Sequence, residues 1–113
     1  MSAITTHVLD TSRGRPASGL AVLLQKRDER DGWHEIGRGE TDPDGRLRTL
    51  LSPADGLQLG IFRLVFDTGR YFDAQGVRSF YPQVTVVFEV VDDAHYHVPL
   101  LVSPFGYTTY RGS

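Results

Sequence analysis

The 113-residue chain contains no cysteine. Disulfide staples, thiolate nucleophiles and cysteine-ligated zinc are thereby excluded, and stability has to come from packing and assembly. A strong charge of one sign is also missing: 12 basic against 14 acidic side chains leave a formal net charge of −2. The basic residues are scattered, not gathered into the patch that a phosphate backbone requires, so nucleic acid is not an expected partner. No apolar run approaches the ~20 residues of a membrane span. The opening Met1 to His7 carries neither the basic nor the apolar region of a secretory signal, and the closing Tyr110-Arg111-Gly112-Ser113 is not a peroxisomal or retention tripeptide. The expectation is a cytoplasmic protein without a membrane partner.

Several catalytic devices are absent too. There is no Gly-x-Ser-x-Gly elbow, and Ser12, Ser18, Ser52, Ser79 and Ser103 stand in turn-like contexts where capping accounts for them. Gly37-Arg38-Gly39 is no phosphate loop, and Asp92-Asp93 follows a strand pattern and reads as a turn.

What is present describes one domain, residues 1–113, large enough to bury roughly two thirds of its unfolded surface. With 40% hydrophobic and 23% charged residues it has the composition of a globular chain. Turn-forming clusters at Thr11–Ser18, Arg27–Gly32, Asp42–Gly45, Ser52–Gly56 and Asp67–Gly69 punctuate it, a spacing that favours many short strands. Apolar residues alternate between them: Phe62, Leu64 and Phe66, then Val84, Val86, Phe88 and Val90, the period of a half-buried sheet. Leu20–Lys26 and Trp33–Glu40 read as a hairpin whose turn takes its positive φ from Gly32. Asp42-Pro43-Asp44-Gly45 is a second turn that sets Arg46 at a strand entrance. Gly69–Val77 lacks period two and forms at most one or two helical turns. Seven or eight strands with so little helix predict an all-β antiparallel sandwich with Greek-key connections.

Alternation also directs the histidines. Tyr96, Val98, Leu100 and Val102 form the inward set of the last long strand, which turns His95 and His97 outward with Pro99 and Leu101. In the first strand Ile4, Thr6 and Val8 face in, and Thr5, His7 and Leu9 face out. An outer face mixing His with Leu and Pro is poorly suited to water, so a covering subunit and a site at that interface are expected. On pattern alone each histidine is more readily an ordinary surface or partly packed residue, as His34 beside Trp33 is read to be. His95 and His97 could clamp a metal with His7 as third ligand, but no fourth protein ligand is evident, and neither metal nor cofactor is expected.

Three separated segments carry a resemblance. His7-Val8-Leu9-Asp10 followed by Gly14-Arg15-Pro16-Ala17, the turn Thr41-Asp42-Pro43-Asp44-Gly45-Arg46, and the stretch from His95-Tyr96-His97 to Tyr110-Arg111-Gly112-Ser113 together resemble the 5-hydroxyisourate hydrolases. Tyr71-Phe72 and Phe80-Tyr81-Pro82 are in the same style. The resemblance implies a transthyretin-like sandwich, a homotetramer with active sites where pairs of dimers meet, and conversion of 5-hydroxyisourate to 2-oxo-4-hydroxy-4-carboxy-5-ureidoimidazoline in urate breakdown.

It further implies the site. His97, assisted by His7, activates water, because two imidazoles near a guanidinium should have lowered pKa values and keep one ring neutral at pH 7. Arg46 binds and polarises the carbonyl with its fixed fork of donors. Tyr110, Arg111 and Gly112 line the pocket, and Ser113 hydrogen-bonds to substrate or water, which requires a chain end that is tied down instead of frayed. The rival expectations are a non-catalytic small-ligand carrier of the same fold, whose known members lack this His, Arg and Tyr-Arg-Gly-Ser set, and a structural or adhesive sandwich module.

Overall fold

The computed structural model describes residues 3–52 and 56–113. Most of the turn expected over Ser52–Gly56 therefore lies outside the described residues. Nine strands and one short helix are present among them. The first sheet holds β1 (Ile4–Asp10), β2 (Arg15–Pro16), β5 (Arg46–Leu47), β8 (Tyr96–Ser103) and β9 (Gly106–Thr109), in the order β2-β1-β8-β9 with β5 also paired to β1. The second holds β3 (Ala21–Arg27), β4 (Trp33–Glu40), β6 (Gly60–Phe66) and β7 (Val84–Val90), in the order β4-β3-β6-β7. The fold is all-β, as the turn spacing and alternation imply.

The two sheets face each other through one apolar cluster. Ile4, Val8, Tyr96, Val98, Leu100 and Val102 from the first sheet and Val22, Leu24, Phe62, Leu64, Phe66, Val84 and Val90 from the second are all buried within it. Every residue assigned inward on β8 and β6 is buried, while Val86 and Phe88 on β7 are only partly covered because β7 is an edge strand. The helix α1 (Thr68–Asp73) falls inside the region read as one or two turns, and buries Phe72 against the same core.

One strand pair departs from the antiparallel pattern, and one local expectation is corrected. Among the described strand pairs all but one are antiparallel; β1 runs parallel to β8 over seven residue pairs, Ile4↔Tyr96 to Asp10↔Val102. A parallel neighbour cannot be reached by a tight turn, and here all four strands of the other sheet, together with β2, β5 and α1, intervene, which is why a local reading does not find it. In the β3–β4 turn the positive φ, +62°, belongs to Asp31 and not to Gly32. Asp28 Oδ1 accepts the amides of Arg30 and Gly32 at 2.8 Å each, and this Asx-type closure holds Asp31 in the left-handed region. Gly37-Arg38-Gly39 lies within β4, as strand and not loop.

Candidate functional site

The outer face of the first sheet collects the polar residues that alternation turned away from the core. Asp42 opens the turn before β5: its Oδ1 accepts the amides of Asp44 and Arg46, each at 2.9 Å, and the Arg46 amide above all holds this carboxyl below the usual carboxylate range. Gly45 closes the turn with φ +78°, and a Cβ there would stand 2.4 Å from the Val8 carbonyl oxygen. Only glycine combines that dihedral with that approach. The result is register: β5 pairs with β1 so that Arg46 lies directly across from His7.

On the other side of β1, Thr5 lies directly across from His97. Thr5 is 3% exposed, and its Oγ1 stands 2.8 Å from His97 Nδ1 and 3.0 Å from His95 Nε2. The two imidazoles stack with centroids 6.3 Å apart. His97 is partly buried, and burial first, then the positive fields of His95, Arg46, His7 and Arg48, push its pKa below the ordinary value. The ring is therefore neutral at pH 7 and able to accept a proton. His7 Nε2 lies 2.9 Å from the Asp44 carbonyl oxygen; because a carbonyl only accepts, Nε2 carries a proton and donates it there.

A cleft of about 160 Å³ is lined by Thr5, Thr6, Arg46, Arg48, His95, His97 and Ser113. It offers an uncharged imidazole, two guanidiniums and hydroxyls, a set suited to binding a planar polar molecule and managing charge on its carbonyl oxygen. Among the described residues no group of three His, Cys, Asp or Glu is arranged to hold a metal ion. A larger cleft of about 490 Å³, lined by Arg13, Arg15, Arg70 and Tyr71 among others, lies beyond the far end of β1 and contains no imidazole.

The final residues are tied down. Gly112 donates its N–H to the His97 carbonyl at 2.8 Å, forming an antiparallel bridge. This crossing divides the tail. Ser113 borders the cleft with Arg46 and His97. Tyr110 and Arg111 line an adjoining cleft with Phe88 and Tyr96, which shares His97 as a wall, and the Arg111 guanidinium sits 4.4 Å above the Tyr96 ring. Of the residues singled out from sequence, His97, Arg46 and Ser113 thus share one cleft, His7 stands beside it, Gly112 bounds it, and Tyr110 and Arg111 face its neighbour. Thr5 is placed on the outer face by alternation but given no role, Arg48 is not singled out and His95 is considered only as a ligand, although each is two residues from a recognised position on its strand or just beyond it, the spacing that shares a face.

Residues 4–112 match the family model described as HIUase/Transthyretin family. The mouse protein named 5-hydroxyisourate hydrolase is 46% identical, with 99% of this chain and 96% of that one aligned. A protein of Rhizobium meliloti named 5-hydroxyisourate hydrolase 2 is 48% identical, over 97% of this chain and 95% of its own. Among solved structures, transthyretin from Sparus aurata superposes with a TM-score of 0.92 at 32% identity, covering 99% of this chain and 97% of that one. Matched along almost its whole length in both sequence and architecture, the chain belongs to the HIUase/Transthyretin family.

Proposed function

We propose that this protein is a cofactor-free hydrolase that opens the ring of 5-hydroxyisourate to give 2-oxo-4-hydroxy-4-carboxy-5-ureidoimidazoline, a step of urate and purine breakdown. The observation that carries the proposal is the cleft that joins the His97 imidazole, its pKa depressed, to the Arg46 guanidinium, in a chain 46% identical to the mouse 5-hydroxyisourate hydrolase.

His97 takes a proton from water as the water oxygen bonds to the ring carbonyl carbon, and Arg46 donates hydrogen bonds to the carbonyl oxygen as it becomes negative. The ring carbon–nitrogen bond then breaks, and the nitrogen leaves with the proton that His97 had accepted. His7 sits directly across from Arg46 and assists by orienting it and the incoming water. Ser113 hydrogen-bonds to substrate or water, while Tyr110, Arg111 and Gly112 bound the substrate.

The same reading takes residues 1–113 as one domain, supported by the single apolar cluster both sheets share, and assembles it as a homotetramer with active sites where dimers meet. Partly exposed Leu9 and Leu101, neighbours on the face that bears the cleft, support a covered face. Sedimentation at micromolar concentration tests the tetramer. A cytoplasmic setting belongs to the reading as well, since a chain without cysteine gains nothing from an oxidising compartment; cell fractionation checks it. A carrier role has no comparable support, although a sea bream transthyretin relative was crystallised with thyroxine.

The deciding experiment follows the optical decay of freshly generated 5-hydroxyisourate with and without purified protein in metal-free buffer, beside the His97→Ala variant. Acceleration by the unaltered protein and not by the variant is expected. A folded protein that leaves the decay rate unchanged overturns the hydrolase reading.

A further inference from the structure

Thr5 holds one hydroxyl between two imidazoles, and a hydroxyl has a single proton to donate. With His97 Nδ1 at 2.8 Å and His95 Nε2 at 3.0 Å, at most one ring receives that proton and at least one donates its own to the oxygen, which can accept two hydrogen bonds. If both rings donate, His97 Nε2 is bare; two further arrangements use the hydroxyl proton within the trio. If Thr5 donates to His97 Nδ1, the neutral His97 carries its proton on Nε2 and has no lone pair left for the cleft. If His97 Nδ1–H donates to Thr5, and Thr5 donates to His95 Nε2, then His97 Nε2 is a bare lone pair.

Charge selects between them. Arg46 and Arg48 line the same cleft as His97, and among the described residues no protein group is hydrogen-bonded to His97 Nε2. A lone pair turned toward guanidiniums is attracted; an N–H dipole turned the same way is repelled. The neighbours whose fields lower the His97 pKa, namely His95, Arg46, His7 and Arg48, all act in the same sense.

We propose that Thr5 is a positioning residue: it fixes His97 in the Nδ1–H form, with Nε2 ready to accept a proton, and links it through its hydroxyl to His95 as the outlet for that proton. This rests on the reading of His97 as the base. When water gives a proton to His97 Nε2, the Nδ1 proton passes to Thr5 Oγ1 as the hydroxyl proton passes to His95 Nε2. One proton leaves water and one arrives on His95, which becomes an imidazolium; His97 stays neutral throughout. The reverse shift returns the proton through His97 to the departing nitrogen. The direction makes electrostatic sense, because within the protomer His95 is exposed, whereas His97 is partly buried beside two guanidiniums.

Two measurements test it. Nitrogen-15 NMR of histidine-labelled protein without substrate, at pH 7.5 or above, should show His97 protonated at Nδ1 and bare at Nε2; the opposite tautomer overturns the proposal whether or not the protein is a hydrolase. Thr5→Val keeps the shape and removes the hydroxyl, and kcat should fall about 10–100-fold with KM little changed, the range seen when a partner that orients a functional histidine is lost. Thr5→Ser should restore most of kcat. A Thr5→Val enzyme with unaltered kcat, or a Thr5→Ser enzyme as impaired as Thr5→Val, overturns it. If Thr5→Val does not fold, the tautomer of the unaltered protein and the Thr5→Ser kinetics still decide. Unaltered protein that shows the expected tautomer but no turnover would reject the hydrolase reading alone.

Discussion

Gly112 and His97 meet backbone to backbone: the Gly112 amide donates to the His97 carbonyl at 2.8 Å, and a Cβ on Gly112 would lie 2.6 Å from His97 Cδ2 and 3.0 Å from Pro99 Cγ. Both obstructing atoms belong to rings that cannot bend away. Gly112→Ala should therefore lift the tail or turn the imidazole, and kcat/KM for 5-hydroxyisourate should drop at least about tenfold while the thermal midpoint moves little, because residues 110–113 fill no core. Removing Arg111 to Ser113 should do the same more severely. A fully active truncation would take the tail out of the site.

His97→Ala and Arg46→Ala should each lower kcat/KM by about 10²–10⁴-fold, the span expected for loss of a general base or of a donor to a developing oxyanion. Neither side chain belongs to the buried apolar cluster, so denaturant midpoints should shift by no more than about 1 kcal/mol equivalent. Unfolding of both variants would show that these residues hold the fold instead.

The depressed pKa of His97 has a thermodynamic consequence. As pH falls, the unfolded chain takes up this proton near pH 6.5, before the folded protein does. Unfolded protein binds more protons in that interval, so stability rises with pH there: it is intact above about pH 6.5 and declines as pH drops through the folded pKa. Denaturation of His97→Gln between pH 7.5 and 5 should show a shallower decline than the unaltered protein. Activity should fall on the acid side with a midpoint below 6.5, since protonated His97 cannot accept from water; parallel stability curves would contradict the shift.

Asp10 is buried at 0% exposure and is satisfied by four donors: the amides of Ser12 and Arg13, the Ser12 hydroxyl and, at 2.9 Å, the Tyr71 hydroxyl. Burial, then the hydrogen bond to Asp10, pushes the Tyr71 phenol above its usual pKa. Tyr71→Phe removes the only one of these donors to Oδ2 and should cost about 1–3 kcal/mol, read from chemical denaturation. Activity per folded molecule should change little, because Tyr71 lies beyond the far end of β1 from the cleft.

Much of this was legible in the chain. Ile4, Thr6 and Val8, and Tyr96, Val98, Leu100 and Val102, were separable from Thr5, His7, His95 and His97 by alternation alone, since a strand sends successive side chains to opposite faces wherever it lies in the fold. Asp42-Pro43-Asp44-Gly45 likewise announced its turn, because the left-handed residue it needs is local chemistry. Periodicity, however, says which face a residue takes and nothing about its neighbour across the ladder. Thr5 reaches His97 only through the parallel pairing of β1 with β8, a contact across 92 positions, and Arg46 reaches His7 only through the pairing of β5 with β1. Arg111, on the tail beside Ser113, stacks on Tyr96 because the chain crosses β8 at Gly112. Faces and turns are properties of short segments and were determined by the sequence; register between distant strands depends on packing of the whole core, and only the tertiary structure decided which polar groups would share a cleft.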